Sequence, residues 1–134
     1  MKNILIVEDD QTVVRDMRKE IEKRPGLTAS FAATVEEAQR LLLNKSVIFD
    51  SISVDAQFPR RPGEPKSAEP PAGIALLYVI DTLEHLQRAR IAFYSHNKRS
   101  LKLAERMTVH NFPVISLNKS EVPISEWLDA CLPA

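Results

Sequence analysis

The residues from Ile4 to Asp10 constrain the fold most, because a short apolar run there ends abruptly in three acids. The run Ile-Leu-Ile-Val does not alternate with polar residues, and three of its members are β-branched, which predicts a strand buried on both faces. Glu8, Asp9 and Asp10 then lie at the strand's carboxyl end, where open α/β sheets bind ligands. This stretch alone leaves two interpretations open: ligands for a hard cation such as Mg²⁺, or an acidic first turn of a helix.

A strand-then-helix pattern recurs along the chain of 134 residues. Short apolar segments predict further strands, and segments with apolar residues at helical spacing follow each strand. Strands are predicted at 27–33, 47–55, 90–95 and 113–117, and helices at 12–24, 34–44, 74–86, 98–109 and 124–132. This alternation predicts one α/β domain over residues 1–134, with a flavodoxin-like, doubly wound parallel sheet of five strands in the order 2-1-3-4-5.

The segment 60–72 is the exception to this pattern. It holds four of the nine prolines and shows no hydrophobic periodicity, which predicts a long, extended loop inserted between the third strand and the third helix. A loop of this length in a compact domain is either functional or disordered.

Composition excludes several classes of protein. The formal net charge is zero, so no basic excess argues for nucleic acid as a partner. No apolar stretch approaches the length that spans a membrane, and the first one ends in acid after four residues, unlike a signal peptide. The single cysteine, Cys131, excludes an internal disulfide framework and fits a reducing compartment. A cytoplasmic protein is therefore expected.

Chemistry-bearing residues follow four of the predicted strands. Besides the acids after the first strand, Asp55 ends the third, Ser95 ends the fourth and Lys119 follows the fifth. Because the carboxyl ends of parallel strands share one edge of the sheet, these side chains are expected to meet there. Carboxylates with a divalent cation, a hydroxyl and an ammonium are suited to phosphoryl transfer onto a carboxylate, with Asp55 as the nucleophile.

These residues, with Pro59 four positions after Asp55 and with Gly73, make the whole chain resemble the receiver domains of two-component response regulators. The resemblance implies that Asp55 is the phosphoacceptor and that Mg²⁺ is held by Glu8, Asp9, Asp55 and the backbone carbonyl of Gln57. Ser95 then resembles the switch hydroxyl, and Lys119 the phosphoryl-binding lysine. His96 and Asn97 occupy positions that would modulate access to the site.

The resemblance also implies partners. A histidine kinase or a phosphotransfer protein would donate the phosphoryl group, and a downstream protein would read the result on the face of the fourth helix, fifth strand and fifth helix. The same face would support a weak dimer if the protein is not a monomer. Neither nucleic acid nor membrane is an expected direct partner, and no enzymatic activity is expected beyond self-phosphotransfer and autodephosphorylation.

Four departures from the family pattern leave an alternative open. The loop after Pro59 is longer than usual, His96 replaces a small residue, Ser116 replaces an aromatic one, and Ser120 replaces a proline. These changes motivate a pseudo-receiver, which binds a partner constitutively through the 60–72 loop or the helix-four face. A hydrolase of the aspartyl-phosphate type ranks lower, because Gln57 stands where such an enzyme needs a general acid.

Overall fold

The structure, a computed structural model, describes residues 2–66 and 70–132. Within them, the strands in chain order are β1 (Lys2–Val7), β2 (Leu27–Ala32), β3 (Ser51–Val54), β4 (Arg90–Ser95), β5 (Thr108–Val109), β6 (Phe112–Pro113) and β7 (Ile115–Asn118). The helices are α1 (Gln11–Glu22), α2 (Val35–Leu43), α3 (Ala72–Asp81), α4 (Lys98–Glu105) and α5 (Ile124–Cys131).

Five of these strands form one parallel sheet in the order β2-β1-β3-β4-β7. Since β7 is the fifth strand of this sheet, the predicted order 2-1-3-4-5 is confirmed. Strand β1 lies between β2 and β3, so the acids that follow it emerge next to the end of β3.

The helices cover both faces of the sheet, which explains why β1 shows no alternation of apolar and polar residues. Ile4 and Ile6 pack with Met17 of α1 and Trp127 of α5. The alternate residues Leu5 and Val7 pack in the second core, which lies on the opposite face. That second core draws on α2, α3 and α4 through residues such as Ala38, Leu76 and Leu101.

Two serines of β3 are buried although they are polar. Ser51 donates a hydrogen bond to the carbonyl oxygen of Cys131 at 2.6 Å, and Ser53 Oγ accepts one from the indole nitrogen of Trp127 at 2.8 Å. Both bonds tie the strand that leads to Asp55 to helix α5. Buried hydroxyls that are paired in this way avoid the cost of desolvation.

Several predicted boundaries were wrong. The third helix ends at Asp81 and is followed by a short 3₁₀ turn at Glu84–Leu86, and β3 begins at Ser51 rather than at residue 47. The fourth helix ends at Glu105. The residues predicted to continue it instead enter the antiparallel hairpin of β5 and β6, which the sequence analysis missed.

The last residue of the predicted 60–72 insertion, Ala72, already belongs to α3. Carbonyl oxygens of Pro59 and Arg60 accept hydrogen bonds from the first backbone N–H groups of α2, at Val35 and Glu36. Residues 67–69 of the insertion lie outside the described residues. None of the helices in the described residues is long and apolar enough to cross a membrane.

Candidate functional site

The acids after β1 divide into two groups. Glu8 is almost completely buried, with 2 % of its side chain exposed, whereas Asp10 is exposed at the start of α1. Asp10 is the N-cap of that helix, and its Oδ1 accepts hydrogen bonds from the backbone nitrogen and hydroxyl of Thr12. The pKa of Asp10 is lowered, chiefly by the side-chain bond from Thr12. Asp10 therefore caps the helix, whereas Glu8 and Asp9 are left as candidate ligands for a cation.

Glu8, Asp9 and Asp55 form the carboxylate cluster of the site. One oxygen from each lies within 4.8 Å of the others. The parallel ladder sets this proximity, because Asp55 donates its backbone N–H to the carbonyl oxygen of Val7 at 3.1 Å and so pairs directly with the end of β1. The sheet thus brings together three of the predicted metal-binding side chains.

Lys119 supplies positive charge to the cluster. Its ammonium contacts Glu8 Oε1 and lies 3.3 Å from Asp55 Oδ2. The lysine is buried, with 7 % of its side chain exposed. Its backbone nitrogen donates to the carbonyl oxygen of Ser95 at 3.0 Å, which places it at the end of β4 and β7. The ring of Tyr94 lies 5.6 Å from the ammonium and provides a further favourable contact.

Among the three carboxylates of the cluster, Glu8 is the most deeply buried and so has the least favourable environment for a negative charge. Burial, and next the negative charge of Asp55, raise the pKa of Glu8 to about 7, although Lys119 opposes the shift. Glu8 Oε2 also accepts hydrogen bonds from the backbone nitrogens of Asp9 and Asp10, at 3.1 and 3.3 Å. The cluster therefore holds more negative charge than its described protein partners neutralise, so an added cation would be stabilising.

The backbone after Asp55 is shaped by a close approach to α3. A Cβ atom at Gly73 would lie 1.9 Å from the carbonyl oxygen of Asp55, so only glycine fits there. Gly73 also donates its N–H to the carbonyl oxygen of Ala56 at 2.9 Å. This contact fixes the turn that carries Asp55 and Gln57.

Gln57 carries a buried polar atom that lacks a partner. Its Oε1 accepts no hydrogen bond from any of the described residues, and Gln57 lines the same cavity of about 260 Å³ as the three carboxylates. Hard oxygen donors such as the carboxylates of Glu8, Asp9 and Asp55 are the ligands that Mg²⁺ prefers. The residues present therefore fit a divalent cation.

Ser95, His96 and Asn97 line another wall of this cavity. Ser95 is buried, and its hydroxyl oxygen accepts a hydrogen bond from the backbone nitrogen of Asn97 at 3.0 Å. Asn97 is the N-cap of α4 and accepts a bond from the backbone nitrogen of Ser100. His96 is exposed, and its Nδ1 lies 3.0 Å from Ser120 Oγ, so two of the four departures from the family pattern contact each other.

Lys66 also lies at the site, although no sequence pattern predicted it there. Its ammonium lies 2.6 Å from Asp9 Oδ2, and it lines the cavity with the other site residues. The pKa of Lys66 is raised, first by its hydrogen bond to Asp9. A lysine within a proline-rich loop has no characteristic spacing from a strand end, so no signal in the sequence marked it.

Other candidates lie apart from the site. His85 and His110 contact backbone carbonyl oxygens of Leu42 and Ile80, respectively. Cys131 is buried in the core beside α1, and burial raises the pKa of its thiol to about 12. Ser116 donates to the carbonyl oxygen of Leu101 at 3.1 Å and so links β7 to α4 where the family has an aromatic side chain.

The sequence matches no protein family model and no curated protein. Solved structures do match the fold. The Mn²⁺-bound form of response regulator Rcp1 is 19 % identical with a TM-score of 0.71, and the match covers 100 % of both chains.

Two further structures give similar results. A CheY-like response regulator receiver domain protein from Methanospirillum hungatei JF-1 is 18 % identical with a TM-score of 0.68, over 96 % of this chain and 89 % of that one. The third is a response regulator protein from Burkholderia pseudomallei with a phosphorylated aspartic acid, calcium ion and citrate. It is 20 % identical with a TM-score of 0.67, and the match covers 100 % of this chain and 68 % of that one. The chain therefore has the fold of CheY-like response regulator receiver domains.

Proposed function

We propose that the chain is a response regulator receiver whose Asp55 accepts a phosphoryl group from a histidine kinase or a phosphotransfer protein. The observation that carries the proposal is the grouping of Glu8, Asp9 and Asp55 within 4.8 Å, with the Lys119 ammonium 3.3 Å from Asp55 Oδ2. The matching structures, one with Mn²⁺ and one with a phosphorylated aspartic acid, support it. The phosphorylated form would signal by contact with another protein.

Asp55 is suited to the role of nucleophile. Its Oδ1 accepts a hydrogen bond from the backbone nitrogen of Ala56 at 2.7 Å, which orients the carboxylate. Oδ2 then attacks phosphorus, the bond from phosphorus to the donor's imidazole nitrogen breaks, and the imidazole keeps the electron pair and takes up a proton from solvent. This transfer produces an acyl phosphate on Asp55.

Lys119 and Ser95 would bind the transferred group. Lys119 already contacts Asp55, so its ammonium can bond a phosphoryl oxygen as the charge of the carboxylate is consumed. The Ser95 hydroxyl accepts its bond from Asn97, which leaves its hydrogen available for another phosphoryl oxygen. Glu8, Asp9, Asp55 and the backbone carbonyl of Gln57 would hold Mg²⁺, which supplies charge neutralisation when bound.

Beryllofluoride with Mg²⁺ tests the proposal, because it mimics a phosphoryl group on a carboxylate. We expect saturable binding to the full chain, detected by ¹⁹F NMR, and loss of that binding in Asp55→Asn. Asp16→Asn, which changes an exposed acid on α1, is the matched control and should bind normally. Undiminished binding by Asp55→Asn would refute the assignment of the phosphoacceptor.

Acetyl phosphate tests the chemistry directly through the intact mass of the protein. We expect one added phosphoryl group in the presence of Mg²⁺ and none in Asp55→Asn. Because exposed His96 stands at the edge of the cavity, His96→Gly should label faster with this small donor. Equal labelling rates would show that His96 does not limit access.

A pseudo-receiver remains the second candidate, and Lys66 is the observation that favours it. Its ammonium lies 2.6 Å from Asp9 Oδ2 and so supplies this carboxylate with a cation from the protein itself. A pseudo-receiver would bind its partner through the 60–72 loop or through α4, β7 and α5, with no need for phosphorylation. It would bind neither beryllofluoride nor acetyl phosphate, so the two experiments above distinguish the candidates.

A further inference from the structure

We propose that Lys66 is an internal competitor for the divalent cation and that it sets the metal requirement of the site. The inference rests on the proposed function, because it concerns the metal that phosphorylation of Asp55 would use. It assigns a specific role to the insertion between β3 and α3.

The geometry places two cations in competition for one carboxylate. The Lys66 ammonium lies 2.6 Å from Asp9 Oδ2, at hydrogen-bond distance. Asp9 is also one of the three carboxylates whose oxygens lie within 4.8 Å of one another. A divalent ion at that cluster would be bound by Asp9 and repelled by an ammonium beside it, so Lys66 has to withdraw before the ion gains the full interaction.

The insertion delivers Lys66 to this place through contacts of its first half. Backbone carbonyls of Pro59 and Arg60 bind the first N–H groups of α2, which would otherwise have no partner within the helix. The Arg61 side chain lies 3.4 Å from Glu36 on the same helix. Gly63 has a φ of +82°, which turns the chain back, and Glu64 donates to the carbonyl oxygen of Arg61 to close that turn.

Lys66 nevertheless has freedom to withdraw. Its side chain is 56 % exposed, whereas that of Asp9 is 12 % exposed. A second cavity, of about 370 Å³, lies beneath the loop, lined by Phe58, Pro65, Lys66 and residues of α2 and α3. The loop is thus held at its base but not packed tightly near Lys66, and an ion pair this exposed is weak enough for a divalent ion to displace.

The test is a Mn²⁺ titration of the full chain, in which electron paramagnetic resonance measures the free ion. We expect Lys66→Gln to bind Mn²⁺ about threefold to fivefold more tightly than the unchanged protein, as loss of one competing surface ion pair predicts. Lys66→Arg retains the charge and should stay within about twofold of the unchanged protein. The Mg²⁺ concentration that half-saturates labelling by acetyl phosphate should fall by a similar factor in Lys66→Gln.

Two controls make the result specific. Lys45→Gln removes the same charge from an exposed residue before β3, at the opposite edge of the sheet, and should leave Mn²⁺ affinity unchanged. Asp9→Asn should abolish tight binding. Raising the ionic strength should bring the Mn²⁺ affinities of the unchanged protein and Lys66→Gln closer together, because exposed ion pairs are screened by salt.

The outcomes separate this inference from the proposed function. Equal Mn²⁺ affinity in the unchanged protein and Lys66→Gln, or weaker binding by Lys66→Gln, overturns the role of Lys66 and leaves the receiver intact. Absence of Mn²⁺ binding in every variant overturns both the role of Lys66 and the metal-dependent receiver.

Discussion

At the scale of single residues, three consecutive acids have three environments. Glu8 is buried against Lys119, Asp9 faces Lys66 at the edge of the cavity, and Asp10 caps a helix. All three residues follow the end of β1, and the turn into α1 takes Asp10 to the N-cap of the helix, whereas Glu8 and Asp9 stay beside Asp55. A shift of one residue therefore decides whether an aspartate joins the carboxylate cluster or caps the helix.

Asp10→Ala should lower the free energy of unfolding by about 1 kcal/mol, because the backbone N–H of Thr12 loses its capping acceptor. Asp10→Asn retains a capping oxygen and should lower the free energy of unfolding much less. Urea unfolding followed by circular dichroism measures both. Mn²⁺ affinity is the control and should stay close to that of the unchanged protein; a large loss of affinity in Asp10→Asn would show that Asp10 is a metal ligand.

At the scale of elements, the parts that depend on local pattern could be predicted from the sequence. The apolar run of β1 and the cap at Thr34, whose side chain accepts from the backbone nitrogen of Glu37, follow directly from residue type and spacing. The end of α4 could not be predicted, because apolar residues continue at helical spacing to Met107. Tertiary contacts end it: Asp81 of α3 accepts a bond from the backbone nitrogen of His110.

The hairpin of β5 and β6 illustrates the same limit. Its two turn residues, His110 and Asn111, both have positive φ, at 51° and 70°, as a tight two-residue turn between antiparallel strands requires. Asparagine tolerates that conformation well, but histidine gives no clear signal for it. Lys66 was missed for a related reason, since only the folded loop brings it to Asp9.

Gly73→Ala tests how α3 positions the site. Within a helix, alanine is ordinarily more stable than glycine by about 1 kcal/mol. Here the added Cβ would lie 1.9 Å from the carbonyl oxygen of Asp55. We therefore expect Gly73→Ala to lower the free energy of unfolding by about 1–3 kcal/mol, as measured by urea unfolding. Beryllofluoride binding should weaken as well, because the backbone of Asp55 has to move.

Ala75→Gly, two residues further along α3, gives the reference value for an ordinary helical position in the same element. Its lower helix propensity alone should reduce the free energy of unfolding by about 1 kcal/mol, and beryllofluoride binding should stay unchanged. A stabilising effect of Gly73→Ala would show that α3 and the turn after Asp55 separate easily, and that the close approach does not position Asp55.

At the scale of the whole molecule, a series of side-chain contacts links the site to helix α5. Tyr94 lies beneath the Lys119 ammonium, stacks on Trp127 with ring centroids 5.8 Å apart, and donates its hydroxyl to the carbonyl oxygen of Val122. Trp127 in turn bonds Ser53, two residues before Asp55. Trp127 is therefore a fluorescence reporter in contact with both strands that carry the central site residues.

The carboxylate cluster also makes a global prediction about stability. Close carboxylates repel one another in the folded chain but separate on unfolding, so a cation that binds them selectively in the folded state stabilises the whole molecule. At a free Mg²⁺ concentration about 100 times its dissociation constant, the free energy of unfolding should rise by about 2.7 kcal/mol. Urea unfolding followed by Trp127 fluorescence measures the rise, with KCl at equal ionic strength as the reference.

Asp9→Asn should lose this stabilisation, because it removes one of the three clustered carboxylates, whereas Asp16→Asn on the exposed face of α1 should retain it. Lys66→Gln should reach the same stabilisation at a lower Mg²⁺ concentration if the lysine competes with the ion. Equal effects of Mg²⁺ on Asp9→Asn and the unchanged protein would mean that the salt acts by general screening, and that the three carboxylates do not form a metal site in solution.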